Sequence, residues 1–176
     1  MSGRQLAYTA WGFAALFWAA VQVADSAGIR INHTPSLAPG LWRITPLQEP
    51  LRRGQIVSFC PPDAAVIYEA RARGYLGAGR CPGAVEPLLK RVEALAGDLV
   101  VIDAAGVAVN GIRLVGTRPL EADGQGRRIA GIGPGSWVIG ADAFWAGSAH
   151  QQGFDSRYFG PVPISHVLGV ARPLSW

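Results

Sequence analysis

One lysine stands among the sixteen basic residues of this 176-residue chain; the other fifteen are arginine. Arginine keeps its charge at any accessible pH, whereas a desolvated lysine can lose its proton and act as a base. Lys90 lies in Leu88-Leu89-Lys90-Arg91-Val92. Read as a strand, that segment puts Leu88, Lys90 and Val92 on one face, so the amine shares an apolar face and its pKa should fall. A serine hydroxyl is a weak nucleophile without such a partner. The candidate is Ser36, in Asn32-His33-Thr34-Pro35-Ser36-Leu37-Ala38-Pro39-Gly40-Leu41-Trp42. Two prolines and a glycine hold that segment extended and exposed, as a reactive loop requires.

Asp155 and Arg157 add a third feature. Two apart on a strand, their side chains point the same way and can pair to shape a site floor. Each of these residues also has a plainer reading. Ser36 could be a turn serine beside proline, Lys90 a snorkelling lysine at the core edge, and Asp155–Arg157 a surface pair of little worth. A Ser-His-Asp triad is the rival chemistry. The histidines are His33, His150 and His166, there is no G-x-S-x-G elbow, and His33 is too near Ser36 in sequence to orient as its base.

The elements that must position these groups read as mainly β. With 23 Gly, 13 Pro and 49% hydrophobic residues, the composition argues for short strands and tight connections rather than a helical bundle. Strands are predicted at 55–59, 88–92, 99–103, 107–109 and 137–140, with Asn110-Gly111 as a hairpin turn. A helical excursion is predicted over 61–75, opened by Pro61-Pro62-Asp63, supported by Glu69 and Arg73, and closed by Gly74. Net charge is +4, but the arginines are scattered and no basic tract is interleaved with aromatics, so no nucleic-acid site is expected.

Residues 6–24 carry no charge. As a helix they span roughly 28 Å, close to a bilayer's hydrocarbon thickness. Arg4 precedes the run, which orients the N-terminus (1–5) to the cytoplasm and the body (25–176) outside. The exit of the run lacks a clear small-x-small cleavage frame, so an uncleaved anchor is expected. Ser36 follows closely enough to stay within roughly 40 Å of the bilayer. Cys60 and Cys81 are the two cysteines; outside the cytoplasm they favour a structural disulfide, closing a loop worth about 3 kcal/mol in the chain-entropy model. Two cysteines are too few for a metal site, and a redox C-x-x-C is absent. No metal or cofactor is expected.

Taken together, these segments resemble the bacterial type I signal peptidase superfamily, and within it the conjugative-transfer branch called TraF. Ser36-Leu37-Ala38-Pro39 resembles the S-M-x-P box, with Gly40-Leu41-Trp42 in the TraF style. Arg53-Gly54-Gln55-Ile56-Val57 resembles the R-G-D-I-V strand, and Lys90-Arg91-Val92 through Gly97-Asp98 the lysine box. Phe154-Asp155-Ser156-Arg157-Tyr158-Phe159-Gly160 resembles the D-S-R box, and Cys60-Pro61-Pro62 with Cys81-Pro82-Gly83 the TraF branch. The resemblance implies a signal-peptidase-like β domain with a short helical insertion behind one transmembrane helix. It implies a serine endopeptidase with a Ser36–Lys90 dyad, an oxyanion hole made by the Ser36 N–H and the Thr34 hydroxyl, and support from Asp155 and Arg157. It implies a pilin precursor as substrate, the inner membrane with a periplasmic catalytic domain as location, and conjugation-apparatus proteins as partners. Product release by water or cyclisation by an amine are both open, and the alternative readings are a non-catalytic structural component of a conjugation or secretion apparatus and a general type I signal peptidase. Three departures stand out: Ala94 and Ala96 where Gly and Pro are usual, Gly140-Ala141-Asp142-Ala143 in place of G-D-N-R, and Gly153 where the pattern has a serine that holds the lysine. Ser156, a water or a backbone carbonyl are the available substitutes.

Overall fold

The structure is a computed structural model, and it describes residues 3–174. Along the chain run α1 (Gly3–Ser26), β1 (Ile29–Asn32), β2 (Gly40–Thr45), β3 (Ile56–Phe59), α2 (Ala65–Ala72), β4 (Ala78–Cys81), β5 (Leu88–Ala94), β6 (Leu99–Asp103), β7 (Gly106–Val109), β8 (Ile112–Arg113), β9 (Gly135–Val138), β10 (Ala143–Gly147), α3 (Ser156–Phe159), β11 (Val162–Pro163) and β12 (Val167–Pro173). The mainly β expectation holds. Seven strands form one sheet in the order β1-β2-β12-β3-β5-β10-β11, and four form a second in the order β8-β7-β6-β9.

Local chemistry accounts for several of these elements. Asn110 and Gly111 take positive φ (50° and 82°), the pair of left-handed residues that a tight β7–β8 hairpin needs, and Val109 faces Ile112 across it. The helical excursion is shorter than predicted. Pro61, Pro62 and Asp63 precede α2 rather than opening it, and the helix begins after Ala64, which offers no side-chain cap. Glu69 and Arg73 pair as expected, and Gly74, at φ 78°, ends the turn. The predicted strand at 137–140 is β9, shifted toward the N-terminus.

Strand β5 joins two cores. Leu88 and Val92 pack with Val57, Phe59, Phe144 and Val162, whereas Ala94 packs with Val100, Ile102, Val107 and Trp145. Phe59 meets Phe144 edge to face at 5.4 Å, a preferred geometry for aromatic pairs. A register shift in β10 lets the adjacent Trp145 and Ala146 both be fully buried, one in each core. The alternation predicted for Lys90 is therefore real: it stands between Leu88 and Val92 on the buried face, and is 5% exposed.

α1 contains the apolar run at 6–24. Tyr8, Trp11, Phe13, Phe17 and Trp18 are each at least 66% exposed. Among the described residues, no helix is long and apolar enough to cross a membrane, so the transmembrane part of the expectation is not supported at this level.

Candidate active site

Ser36 lies in the connection between β1 and β2, and the last residue of β1 organises that connection. The Asn32 side-chain amide is buried and donates toward three carbonyls, Thr34 O (3.0 Å), Leu37 O (3.1 Å) and Ala38 O (3.1 Å). These acceptors fix which end of the amide is nitrogen. Its Oδ1 accepts from the Thr34 backbone N–H at 3.2 Å and from the Thr34 hydroxyl at 2.8 Å. Trp42, 1% exposed, pins the far end by donating its indole N–H to Ala38 O. Thr34 Oγ1 and Ser36 Oγ are 3.0 Å apart. Because the single Thr34 hydroxyl hydrogen is committed to Asn32, the Ser36 hydroxyl is the donor of that pair. Sequence reading singled out Thr34 and Ser36, which the fold brings together, but not Asn32; an Asn two residues before a Thr is an Asx-turn signal that could have found it.

Lys90 opens on the same cleft as Thr34 and Ser36, a space of about 710 Å³. Burial pushes the Lys90 amine down to about 8; the nearby Asp155 carboxylate opposes the shift and the Arg157 guanidinium reinforces it. Roughly a tenth of the amines are then neutral at pH 7. Among the described residues the Lys90 side chain makes no ion pair or hydrogen bond. Only the half of β5 from Arg91 onward pairs with β10, so Leu88, Leu89 and Lys90 are laddered to β3 alone and present a free backbone edge to the cleft. An extended peptide can add to such an edge as a strand.

Asp155 and Arg157 do pair, but not across a strand as expected. Asp155 caps the short helix α3, accepting from the Arg157 backbone N–H at 3.1 Å, and its carboxylate takes Arg157 Nε and Nη2 at 2.8 Å each. Both side chains are at most 2% exposed, so this is a buried fork rather than a surface pair. The remaining Arg157 donors hold Gly116 O, Gln151 O and Ser148 O at 2.8–3.2 Å, with His150 O at 3.4 Å. The guanidinium thereby ties together the 148–151 loop, whose His150 lines the cleft.

Of the candidate substitutes at Gly153, Ser156 makes no hydrogen bond to Lys90 among the described residues. It is fully buried, and its hydroxyl accepts from Ala146 N at 3.0 Å. His33 and His150 line the cleft, yet neither ring hydrogen-bonds Ser36 among the described residues, while His166 lies elsewhere against Cys60 O. No triad is assembled. Cys60 and Cys81 are disulfide-bonded, joining the ends of β3 and β4 beside the cleft.

The signal peptidase family, peptidase S26, matches residues 4–176. The chain belongs to that family. Within it, the chain is similar to the conjugal transfer protein TraF of Agrobacterium tumefaciens (strain 15955), with 42% identity over 92% of this chain and 90% of the relative. It is also similar to a probable conjugal transfer protein TraF of Sinorhizobium fredii, with 40% identity over 92% and 86%, and to a plasmid transfer protein TraF of Escherichia coli, with 39% identity over 85% of each. Among solved structures it is similar to a signal peptidase I from Enterococcus faecalis, with 16% identity, 69% of this chain and 97% of the other covered, and a TM-score of 0.39.

Proposed function

We propose that this chain is a membrane-anchored serine endopeptidase that cuts a pilin precursor during conjugative transfer, with Ser36 as nucleophile and Lys90 as general base. The observation that carries the reading is one cleft holding the Ser36 hydroxyl, a buried lysine whose pKa falls to about 8, and the free edge of β5. The family membership supports the peptidase activity, and the TraF relatives support the conjugative setting.

In this mechanism the precursor lies along Leu88–Lys90 and brings its scissile carbonyl to Ser36. Neutral Lys90 takes the Ser36 proton as Oγ attacks the carbonyl carbon. The Ser36 N–H and the Thr34 hydroxyl, once turned from Asn32, stabilise the oxyanion. Lys90 returns the proton to the leaving nitrogen as the C–N bond breaks and an acyl-enzyme remains. Water attack then gives a linear product with a new carboxylate, whereas attack by a substrate amine gives a cyclic one.

Residues 6–24 are proposed as the anchor, with residues 1–5 in the cytoplasm and the body in the periplasm. The exposed aromatic side chains of α1 and the disulfide support this placement. The inner membrane and conjugation-apparatus proteins are the proposed partners.

The test is co-expression with the pilin precursor of the same transfer system, reading the pilin's mass. Processing by wild type, and loss with Ser36→Ala and with Lys90→Ala, is the expected result. Equal processing by all three assigns the cut to another enzyme, and an unprocessed precursor with wild type removes the pilin assignment. A mature mass that retains water excludes cyclisation.

A further inference from the structure

The geometry points to Ser148 as a positioning residue for the nucleophile: its hydroxyl fixes the backbone carbonyl of Ser36 and so sets the direction of the Ser36 side chain. The inference rests on the proposal that Ser36 is the nucleophile.

Ser148 directly follows β10 and is 3% exposed. Its Oγ donates to Ser36 O at 3.1 Å, a bond across 112 positions of sequence. The same oxygen accepts from the His150 backbone N–H at 3.1 Å, and the Ser148 carbonyl accepts from Arg157 Nη2 at 2.8 Å. Both ends of Ser148 are thus held, one by the buried Asp155–Arg157 fork and one by the loop backbone. The hydroxyl, with one hydrogen to give, gives it to the Ser36 carbonyl. That bond restrains ψ at Ser36, the rotation that swings Oγ relative to the rest of the loop. A misplacement of about 1 Å at a reacting atom costs on the order of a hundredfold in rate, so a single bond here has leverage.

Gly153 gives an independent second observation. A side chain at 153 would bring its Cβ to 3.0 Å from both Ser148 Cβ and Oγ, and to 2.9 Å from His150 O. Ser148 therefore fills the space that a residue-153 side chain needs. A side chain at 153 would press on Ser148 and the His150 carbonyl and force one of them to shift, so the glycine leaves Ser148 room to hold Ser36.

The test uses full-length protein and the pilin precursor, comparing wild type, Ser148→Ala, Ser148→Thr and Gly153→Ser, with Ser36→Ala as reference. Ser148→Ala should lower kcat roughly ten- to a hundredfold, with KM changed by less than about twofold. The acid limb of its pH–rate profile should keep its wild-type midpoint, because the bond acts on Ser36 and not on Lys90. Ser148→Thr keeps the hydroxyl and should recover most of the loss, and Gly153→Ser should lower kcat by crowding Ser148. The inference is overturned by wild-type kcat in Ser148→Ala. It is equally overturned by a displaced acid limb, which marks general loosening around Lys90, or by a folded Ser148→Thr as slow as Ser148→Ala. Processing that survives Ser36→Ala brings down the nucleophile assignment and this inference together, a failure the Ser148 variants alone cannot produce.

Discussion

Asn32 Oδ1 accepts the hydroxyl hydrogen of Thr34 at 2.8 Å, which leaves Thr34 Oγ1 as an acceptor for Ser36 Oγ at 3.0 Å. In the free protein the proposed nucleophile thus rests with its proton on the residue proposed to stabilise the oxyanion. Asn32→Ala removes both functions of the amide, the acceptor for Thr34 and the donor to three loop carbonyls. Stability should fall by about 1–3 kcal/mol from the orphaned carbonyls, and kcat by more than that loss alone accounts for. Because one of the two functions of Asn32 acts through Thr34, the losses in the Asn32→Ala, Thr34→Val double variant should fall clearly short of multiplicative. Fully multiplicative losses in that double variant contradict the arrangement.

The Lys90 amine, lowered to about 8, sets the direction of the pH dependence. In the proposed mechanism the deprotonated amine is the active form, so kcat/KM should climb about tenfold per pH unit below 8 and level off above it. Lys90→Arg keeps the charge but never supplies a base, and should be inactive at every pH. Asp155 holds the amine's pKa up, so Asp155→Asn should move the acid limb to lower pH. A limb that moves upward in Asp155→Asn would mean the carboxylate acts on Lys90 only through structure.

The same shift bears on stability. The amine's unfolded value is 10.5 and its folded value about 8, so the folded state binds the proton more weakly. The resulting penalty is fully present below pH 8 and fades as pH rises from 8 to 10.5. At pH 7 it is on the order of 3 kcal/mol as an upper figure. Lys90→Met, which keeps the stem without the charge, should therefore melt higher than wild type at pH 7 and lose that advantage near pH 10.5. A difference in Tm that does not vary over that range would rule out the buried amine as its source.

Much of this site could be read from the sequence because its chemistry is local. The strand alternation that buries Lys90, the Pro-rich segment that carries Ser36 and the Asn110-Gly111 turn each depend on a few neighbouring residues. Asp155 and Arg157 were correctly paired, but on the wrong element: two residues apart suits a strand face and equally suits a capping aspartate with the second residue of a helix. Ser148 had no local signature. Its role comes from a contact across 112 positions and from the empty side of a glycine, neither of which leaves a pattern in sequence. The strands β1, β2, β4, β10, β11 and β12 were missed: most are short, and several, such as β12 between β2 and β3, are fixed by partners far along the chain.

The Asp155–Arg157 fork should be costly to break and hard to replace. Arg157→Met leaves a buried carboxylate unpaired, a loss of about 3–5 kcal/mol. In a simple ion pair, neutralising the partner as well restores much of that loss. Here Asp155→Leu with Arg157→Met should restore little, because Gly116, Ser148, His150 and Gln151 still lose their common donor. Chemical denaturation of the single and double variants measures this, and near-complete recovery in the double would show that the carbonyl bonds contribute nothing.

The disulfide joins the ends of β3 and β4, and β4 contributes Ala78, Gly79 and Arg80 to the cleft wall without supplying any reacting group. Replacing Cys60 and Cys81 by Ala should cost about 3 kcal/mol if the loop-closure account holds. The kinetic effect should fall on binding: a freed β4 wall raises KM for the precursor, while Ser36 and Lys90, held by Asn32, Ser148 and β5, keep kcat close to wild type. Steady-state kinetics on the double-alanine variant, below its melting temperature, separates the two. A drop in kcat at unchanged KM would mean that the disulfide braces the reacting residues themselves, through β3 and its pairing of Val57 with Lys90.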